Sequence, residues 1–436
     1  MPLFLHVSDI HFRRISGSHY DVDEDLRNEL IRDARAFASS HAVPDGILVS
    51  GDIAFSGDKT EYLIAKQWIQ ELAIAVGCEA SHVWCVPGNH DIDQRVAKES
   101  VTLAEVQEKL RTIASHSPNE LNGRILQLMA DPFIRGPLFQ PLNEYNAFAA
   151  AFDCGISADK SFWQQPFKLS DGSILRVNGL TSTLVSNHLD QQQQFVVIGE
   201  YQIPQRADGV TDVIMCHHPH DWLRGADLFK NATNSRAPIQ LFGHKHVQAI
   251  QLHNRSLHIV AGAVHPDRRE NAWRPRYNWI HVDVENTGGQ RRLNIAVYPR
   301  IWSDENANFA ADFNMCDGKD LQTHNFALPM WEPSPLQQTV CKAIAISTDD
   351  EGGKQLNSHR QLTYRFFELS HVQRIEVAQK LTLLRDEDEG LTDATLYQRI
   401  FKRAFDENLL PSLWDTVEQE LGGQGKTENP FQTIKR

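Results

Sequence analysis

The feature that most constrains this chain is a series of polar segments, each of which follows a short apolar run. Such runs are typical of strands in a sheet that is covered on both faces, and here they occupy residues 3–7, 46–49, 82–86, 210–215 and 238–242. The segments that follow them are Asp9-Ile10-His11, Gly51-Asp52, Gly88-Asn89-His90-Asp91, Cys216-His217-His218-Pro219 and Gly243-His244-Lys245-His246. Because ligands at strand ends gather at one edge of a sheet, the pattern predicts a layered α/β fold with a single site at that edge.

The side chains in these segments are of the types that hold divalent metal ions. Aspartate and asparagine oxygens together with histidine nitrogens suit manganese, iron, zinc, cobalt or nickel better than calcium, and they exclude thiolate-preferring metals. A carboxylate is the natural bridge between two cations because its charge offsets both. The pattern therefore indicates a site for two divalent ions. The alternative is that these side chains only satisfy hydrogen bonds at the strand ends.

The segments resemble, in order and in residue type, the motifs of the calcineurin-like metallophosphoesterase family over roughly residues 1–300, and Gly88-Asn89-His90-Asp91 is the most specific of them. The resemblance implies a β-sandwich flanked by helices and a hydrolase of phosphate esters that uses two divalent ions, for which we expect manganese. The ligands that it implies are Asp9, His11 and His246 for the first ion, Asn89, His217 and His244 for the second, and Asp52 as the bridge.

His90 and Asp91 are the expected catalytic residues. The resemblance implies that His90 contacts the scissile phosphate and protonates the leaving oxygen, while Asp91 holds its ring in the required tautomer. His217 is preferred to His218 because the family's ligand lies two residues before the proline, and His218 would point the opposite way in an extended segment. Among the remaining histidines, His265 is the strongest candidate for contact with substrate.

The order of patterns along the 436 residues predicts one large and one small domain. The large one is a catalytic domain over residues 1–300, in which helices at residues 23–39 and 60–76 alternate with the first strands. Asp58 or Lys59-Thr60, with Glu61 following, marks the start of the second helix. The other segments are a mostly helical insertion or cap at residues 93–170, a linker at 301–356, a small all-α bundle built on apolar stripes at 357–421, and a mobile tail at 422–436.

The C-terminal bundle resembles the helical effector-associated adaptors that are attached to enzymes in bacterial conflict and defence systems. The residues that carry this similarity are Tyr364-Arg365-Phe366-Phe367-Glu368-Leu369, Arg374-Ile375 and Leu413-Trp414. The similarity implies that the bundle docks to a partner protein that carries a related module. The alternative is a bundle that only stabilises or dimerises the chain.

Composition limits the expected compartment and partners. No run of about 18 apolar residues occurs, so we expect no membrane span, and the absence of a charged-then-apolar leader argues against secretion. The six cysteines are scattered and form no Cys-x-x-Cys pair, which favours the cytoplasm. The net charge of −13 opposes broad, non-specific binding of nucleic acid.

A local group of arginines and aromatic residues nevertheless suits contact with phosphates or bases. Its members are Arg268, Arg269, Trp273, Arg274, Arg276 and Tyr277, and the alternative is a solvated loop. We expect a phosphodiesterase and narrowly favour a nuclease that acts on DNA or RNA in a bacterial defence system. A cyclic or other small nucleotide phosphodiesterase is the second hypothesis, and a protein phosphatase is the third. A different class of function is an adaptor protein with a vestigial site, against which the complete ligand set argues.

Overall fold

The computed structural model describes residues 1–14, 23–187, 190, 197–225, 227–253, 255–266, 274–332, 362, 365–366, 369, 371–388, 393–421, 429 and 431. The chain divides into two compact units, Met1–Glu332 and Pro333–Arg436. Residues 333–356 of the predicted linker lie outside the described residues, and so does most of the predicted mobile tail.

The first unit is built on thirteen strands among its described residues. They are β1 (Leu3–Val7), β2 (Gly46–Val49), β3 (Val83–Cys85), β4 (Phe162–Lys168), β5 (Ile174–Leu180), β6 (Val210–Cys216), β7 (Ile239–Phe242), β8 (Ala249–His253), β9 (Ser256–Val260), β10 (Arg276–Thr287), β11 (Gln290–Ser303), β12 (Asn308–Ala311) and β13 (Gln322–Ala327). One sheet has the order β12-β11-β10-β1-β2-β3, with β13 also paired to β11. The other sheet has the order β4-β5-β6-β7-β9-β8.

The helices of the first unit flank the sheets and make up the segment between β3 and β4. They are α1 (Glu24–Ser40), α2 (Lys59–Ala75), α3 (Gln94–Glu99), α4 (Val101–His116), α5 (Pro118–Ala130), α6 (Arg135–Phe139), α7 (Asn143–Ala149) and α8 (Asp227–Arg236). The start of α2 confirms the predicted signal, because the Asp58 carboxylate accepts a hydrogen bond from the amide of Thr60. Glu61 completes the cap by accepting one from the amide of Asp58.

The two sheets pack face to face. The rings of Phe4 on β1 and Trp84 on β3 both meet the ring of Phe167 on β4 in a T-shaped arrangement, at centroid distances of 4.8 and 5.1 Å. Buried apolar side chains from both sheets, including Leu5 and Val177, belong to one continuous core. Two packed sheets flanked by helices confirm the predicted fold class.

Parallel pairing in each sheet fixes where the polar segments emerge. Val7 at the end of β1 pairs with Val49 of β2, which in turn pairs with Cys85 of β3. In the other sheet, Cys216 of β6 pairs with Phe242 of β7. The carboxyl ends of these five strands are therefore level within each sheet, and the segments that follow them leave at the same edge.

Two predicted boundaries are wrong. The insertion predicted for residues 93–170 is shorter, because β4 begins at Phe162 and pairs with β5. Residues 301–332, predicted as part of a linker, instead continue the first unit, since β11 extends to Ser303 and both β12 and β13 pair with β11. β13 alternates between half-buried and exposed residues, so it lacks the continuous apolar run that marks a doubly covered strand.

The structure gives the bounds of three helices in the second unit: α9 (His371–Lys380), α10 (Asp393–Asp406) and α11 (Leu410–Glu420). Leu362, Arg365 and Phe366 are helical as well. Their predicted apolar stripes meet in one core that is separate from the core of the first unit. Leu413 and Ile400 are completely buried there, and Trp414 is nearly so. No helix in the described part of the chain is long and apolar enough to cross a bilayer.

Candidate metal centre

The candidate centre lies where strand ends from both sheets converge. The seven-stranded sheet contributes Asp9 and His11 after β1, Asp52 after β2, and Asn89 after β3; the six-stranded sheet contributes His217 after β6, and His244 and His246 after β7. Six of the seven predicted ligands, all except Asn89, belong to groups of aspartate and histidine residues whose potential ligand atoms lie within 4.8 Å of one another, and His90 and His218 belong to such groups as well. Asn89 joins the centre through its contacts with His217 and His244.

Asp52 lies in the middle of this arrangement. Its Oδ2 atom is 3.3 Å from Nε2 of His11 on one side and 3.3 Å from Nε2 of His217 on the other. Oδ1 of Asn89 is 3.2 Å from Nε2 of His217 and 2.9 Å from Nδ1 of His244. A single carboxylate thus stands between the two sets of side chains, which is the position that a bridging ligand requires.

Asp9 provides a direct test of whether the group fits a cation. Its side chain is fully buried, and Oδ2 accepts a hydrogen bond from the amide of His244 at 3.0 Å. No described residue donates a hydrogen bond to Oδ1, which lies 3.5 Å from Nε2 of His246. A buried carboxylate oxygen without a donor is destabilising, and a divalent ion would remove that penalty. The donor set around Asp9 therefore fits a metal ion.

Two of the histidines are oriented by backbone carbonyl groups. Nδ1 of His217 donates to the carbonyl of Ser50 at 2.8 Å, and Nδ1 of His11 donates to the carbonyl of His265 at 3.3 Å. Because a carbonyl oxygen can only accept, a proton is held on Nδ1 of each ring and Nε2 faces Asp52. Carbonyl partners of this kind commonly fix the tautomer of metal-binding histidines.

The backbone at the centre is conformationally unusual. Five of the seven predicted ligands have a positive φ, between 52° and 70°: Asp9, His11, Asp52, His244 and His246. This region disfavours side chains other than glycine, and residues held there cluster at functional sites. The fold therefore maintains an unfavourable backbone conformation in order to direct these side chains inward.

Glycine is required where neighbouring segments approach the centre. A Cβ atom on Gly88 would lie 2.1 Å from Oδ1 of Asp52, and one on Gly51 would lie 2.5 Å from Nδ1 of His217. Gly51 also has a φ of 97°. Any larger residue at either position would push Asp52 or His217 out of place.

The charges within the group depend on one another. Burial opposes ionisation of Asp52, but attraction to His217 and His90 and hydrogen bonds from His11 and His217 hold its pKa well below its usual range. Burial also opposes protonation of His217, yet the Asp52 charge raises the pKa of His217 to about 9. The pKa of His244 is well below its usual value because burial and the neighbouring His217 disfavour a further positive charge. A cation that binds His217 would therefore displace a proton.

His90 lies at the rim of the centre and is held by contacts other than the one predicted. Its Nδ1 atom donates to the carbonyl of Phe55 at 2.7 Å, and its ring stacks on the Phe55 ring at a centroid distance of 5.2 Å. Its amide donates to Oδ1 of Asp52 at 2.8 Å, and its ring contacts His11 edge-on at 4.9 Å. The prediction that Asp91 orients the His90 ring is therefore wrong, because the Phe55 carbonyl occupies that ring nitrogen.

Asp91 supports the backbone around the centre instead. Its buried carboxylate accepts hydrogen bonds from the amides of Ile53, Ala54 and Gly88 and from the hydroxyl of Tyr62. Burial, together with repulsion from Asp52, raises the pKa of Asp91 to about 6. Asp91 thus ties the segment after β2 to the segment after β3, and this fixes Asp52 and Asn89 relative to each other.

Comparison with known proteins identifies the first unit. The model of the calcineurin-like phosphoesterase family matches residues 2–248, which is more than half of the chain. The chain belongs to the calcineurin-like phosphoesterase family. Members of this family typically depend on two metal ions, and the paired groups around Asp52 agree with that requirement. A second model, that of the GTPase-associated adaptor domain, matches residues 358–419 and agrees with the resemblance found for the C-terminal segment.

Solved structures with similar folds are distant from this phosphoesterase family member. Vps29 from Chaetomium thermophilum is 11% identical, with 75% of this chain and 99% of that chain covered and a TM-score of 0.31. A putative 5′-nucleotidase from Staphylococcus aureus is 14% identical, with 79% and 58% covered and a TM-score of 0.30. A predicted phosphoesterase from Streptococcus pneumoniae is 10% identical, with 75% and 98% covered and a TM-score of 0.28. No curated protein matches the sequence.

Two histidines outside the predicted ligand set differ from expectation. His218 does not point away from the centre, because its ring lies 4.6 Å from the ring of His244 and its Nδ1 atom is hydrogen-bonded to Oγ of Ser182 at 2.7 Å. His265 is buried, and its Nε2 atom lies 2.7 Å from Oδ1 of Asp23. This burial and this pairing argue against contact between His265 and substrate, and the His265 carbonyl orients His11.

The group of arginines and aromatic residues is only partly available to a ligand. Arg276 pairs with Asp312 at 2.6 Å, and the Tyr277 side chain is fully buried and donates to Asp33. Arg274 is exposed. Arg268, Arg269 and Trp273 lie outside the described residues. Arg276 and Tyr277 thus have structural roles, which removes part of the support for a nucleic-acid surface.

Three residues near the centre carried no recognisable sequence signal. Phe55 and Arg13 follow the Asp52 and His11 segments, and the guanidinium group of Arg13 lies 4.0 Å from the centroid of the Phe55 ring. On the other side, the ring of Trp222 meets the ring of His244 edge-on at 4.0 Å. Aromatic and arginine side chains in loops are common, so only their proximity to the predicted ligands distinguishes these three.

Proposed function

We propose that this chain is a dinuclear-metal-dependent phosphoesterase that cleaves phosphodiesters. The observation that carries the proposal is the position of Asp52, with Oδ2 at 3.3 Å from both His11 and His217. The metal ligands that we propose are those implied by the motifs: Asp9, His11, Asp52, Asn89, His217, His244 and His246. The nitrogen and oxygen donors suit manganese, iron, zinc, nickel or cobalt, and among these we propose manganese because of the family resemblance.

A divalent pair in such a centre supplies Lewis acidity toward a phosphoryl oxygen. The chain's own residues supply the proton and the orientation. We assign His90 as the acid that protonates the leaving oxygen from Nε2, since its Nδ1–H remains bound to the Phe55 carbonyl in both charge states. Asp91 acts through the backbone, because it fixes the segments that carry Asp52 and Asn89.

Nucleic acid is the first substrate class that we propose, with exposed Arg13 and Arg274 as supporting cations. The second class is a cyclic or other small nucleotide diester. It is favoured by the net charge of −13 and by the engagement of Arg276 and Tyr277 in internal contacts. Hydrolysis of phosphoproteins is a third alternative, for which no contact at the centre argues.

A substrate panel tests these proposals. Single-stranded DNA, RNA, cyclic nucleotides and bis-para-nitrophenyl phosphate are incubated with the full chain and, in turn, manganese, iron, zinc, nickel or cobalt, with a chelator-treated sample as control. We expect metal-dependent cleavage of at least one diester. Cleavage of only the small diesters would reject a nuclease, and no cleavage with any of the five metals would reject the phosphoesterase in favour of an adaptor with a vestigial site.

We further propose that the C-terminal unit docks a partner protein with a related adaptor module, as part of a bacterial defence system. The match over residues 358–419 and the separate apolar core of this unit support the proposal. Deleting residues 357–436 should preserve hydrolysis of small esters while abolishing copurification with a protein that carries such a module. Loss of hydrolysis in the deletion variant would instead mean that this unit is needed for catalysis.

The compartment that we propose is the cytoplasm. Cys78, Cys85, Cys154, Cys216 and Cys316 are free thiols, and all five are buried. Free buried thiols are typical of proteins kept in a reducing environment. Mass spectrometry of alkylated protein purified from cells would test this, since oxidised pairs among these cysteines would contradict it.

A further inference from the structure

We propose that Arg13 binds an anionic group on the leaving-group side of the substrate, so that this phosphoesterase prefers diesters whose leaving group carries a phosphate of its own. The inference rests on the proposed function and specifies its substrate. It derives from three observations: Arg13 is held in place, its charge is not neutralised within the described structure, and it shares a supporting ring with His90.

Arg13 has a fixed position because the residue before it is paired. Phe12 and Ala54 form an isolated parallel bridge. The amide of Phe12 donates to the carbonyl of Ile53 at 2.9 Å, and the amide of Phe55 donates to the carbonyl of Phe12 at 3.0 Å. The chain segment that carries Arg13 is therefore tied to the segment that carries Phe55, directly beside the candidate centre.

The guanidinium group of Arg13 lies over an aromatic ring and is exposed. Its Cζ atom is 4.0 Å from the centroid of Phe55, whose side chain is itself 38% exposed. No ion pair or hydrogen bond joins the Arg13 side chain to any other described residue. A guanidinium group in contact with a ring through its face keeps the N–H groups at its edge available for an anion.

Neighbouring arginines differ in this respect. Arg14 pairs with Asp58, and Arg95 pairs with Asp93 at 3.0 Å. Their charges are offset locally, whereas the Arg13 charge is offset by none of the described carboxylates. Near a centre that is suited to phosphate chemistry, such a cation is best explained by a charge that the substrate brings.

The contacts of Phe55 indicate which side of the substrate Arg13 faces. The same ring that supports Arg13 also stacks on His90, and the Phe55 carbonyl accepts the hydrogen bond from Nδ1 of His90. His90 is the proposed acid for the leaving oxygen. Arg13 therefore stands beside the departing group, where a phosphate in that group can accept charge-assisted hydrogen bonds from its guanidinium fork.

The test compares dithymidine dinucleotide with the same dinucleotide carrying an added phosphate at its 5′ or 3′ end. We expect the full chain with manganese to cleave one phosphorylated form with the highest kcat/KM. In Arg13→Gln, the preference ratio for that form over the unphosphorylated dinucleotide should fall about 10-fold to 100-fold, as expected for a lost charge-assisted hydrogen bond. Arg13→Lys should restore part of the ratio, because it keeps the charge but not the planar fork.

Arg14→Gln is the matched control, since it removes the same charge from the adjacent residue, and its preference ratio should equal that of the wild type. An unchanged ratio in Arg13→Gln, or equal losses for all three substrates, would overturn this inference while leaving the proposed function intact. If the wild type cleaves no phosphodiester with any metal tested, the proposed function fails and this inference fails with it.

Discussion

The two units of this protein treat buried polar groups in opposite ways. In the first unit, Asp9, His11, Asp52 and His217 are almost completely buried and gathered at one point. In the second unit, the buried residues that the structure describes are apolar apart from Asp388. Asp388 is compensated by Arg399 at 3.1 Å and by Arg403.

The polar centre of the first unit costs folding free energy, whereas the apolar core of the second unit contributes it. The centre of the first unit combines buried charge, positive φ angles and an unsatisfied carboxylate oxygen, all of which oppose folding. In the second unit, the buried charge of Asp388 is paired with Arg399 and Arg403, positive φ angles among the described non-glycine residues occur at Thr382 and Asn408, and the apolar core stabilises the fold directly. A substitution in the first group should therefore affect chemistry more than folding, and one in the second group should do the reverse.

The largest effect should come from Asp52→Asn. The change removes the negative charge that lies 3.3 Å from both His11 and His217, so hydrolysis should fall by about 10³-fold or more, given that bound metal contributes several kcal/mol. Manganese binding, measured by calorimetry, should weaken in parallel. Asp153→Asn is the control, because Asp153 has a similarly positive φ but lies on the surface, paired with Lys160. Full activity in Asp52→Asn would contradict the view that the buried polar group of the first unit carries the chemistry.

His90→Ala should have the next largest effect and should depend on the leaving group. Loss of a positioned acid lowers the rate by about 10²–10⁴-fold. That loss should appear as a lower kcat for a dinucleotide, whose alkoxide needs a proton. It should be much smaller for bis-para-nitrophenyl phosphate, whose phenolate leaves without one. Equal losses for both substrates would mean that His90 serves the fold or the centre in another way.

Leu413→Ala tests the second unit. Leu413 is completely buried in the helical core, and truncating a buried leucine costs about 2–5 kcal/mol. Hydrogen exchange over residues 371–421 should accelerate accordingly, with hydrolysis of small diesters preserved. A parallel loss of hydrolysis would show that catalysis depends on the stability of the second unit.

The smallest effect should come from Asp388→Asn, and it should depend on pH. Hydrogen bonds from Arg403, the amide of Arg385 and Arg399 hold the pKa of Asp388 below its usual value of 3.8. A lowered pKa stabilises the folded state above the unfolded-state pKa, and that stabilisation is lost as the pH falls below about 4. Protection of residues 371–421 from exchange should therefore decline between pH 5 and pH 3 in the wild type. In the variant, the free energy of unfolding of the second unit should be about 1–2 kcal/mol lower at pH 5 and should depend less on pH. An identical decline in the variant would mean that Asp388 is not the group responsible.

Much of the first unit could be predicted because its elements are defined locally. Apolar runs located β1, β2, β3, β6 and β7, and the residues that follow them already had the chemistry of metal ligands. The apolar stripes of the second unit were equally predictable from the sequence, since burial on one face of a helix repeats with the helical period. β13 was not, because a strand that is exposed on alternate residues has no continuous apolar signal.

The sequence by itself determined which side chains stand at the strand ends, which segments form helices and which family the first unit belongs to, because short-range patterns and residue types decide these properties. Only the tertiary structure decided the partners. His90 is hydrogen-bonded to the Phe55 carbonyl and not to Asp91, and His218 lies against His244. Arg13 lies over the Phe55 ring, which also stacks on His90. Such pairings depend on how segments far apart in the chain meet, and residue spacing along a sequence carries no information about that.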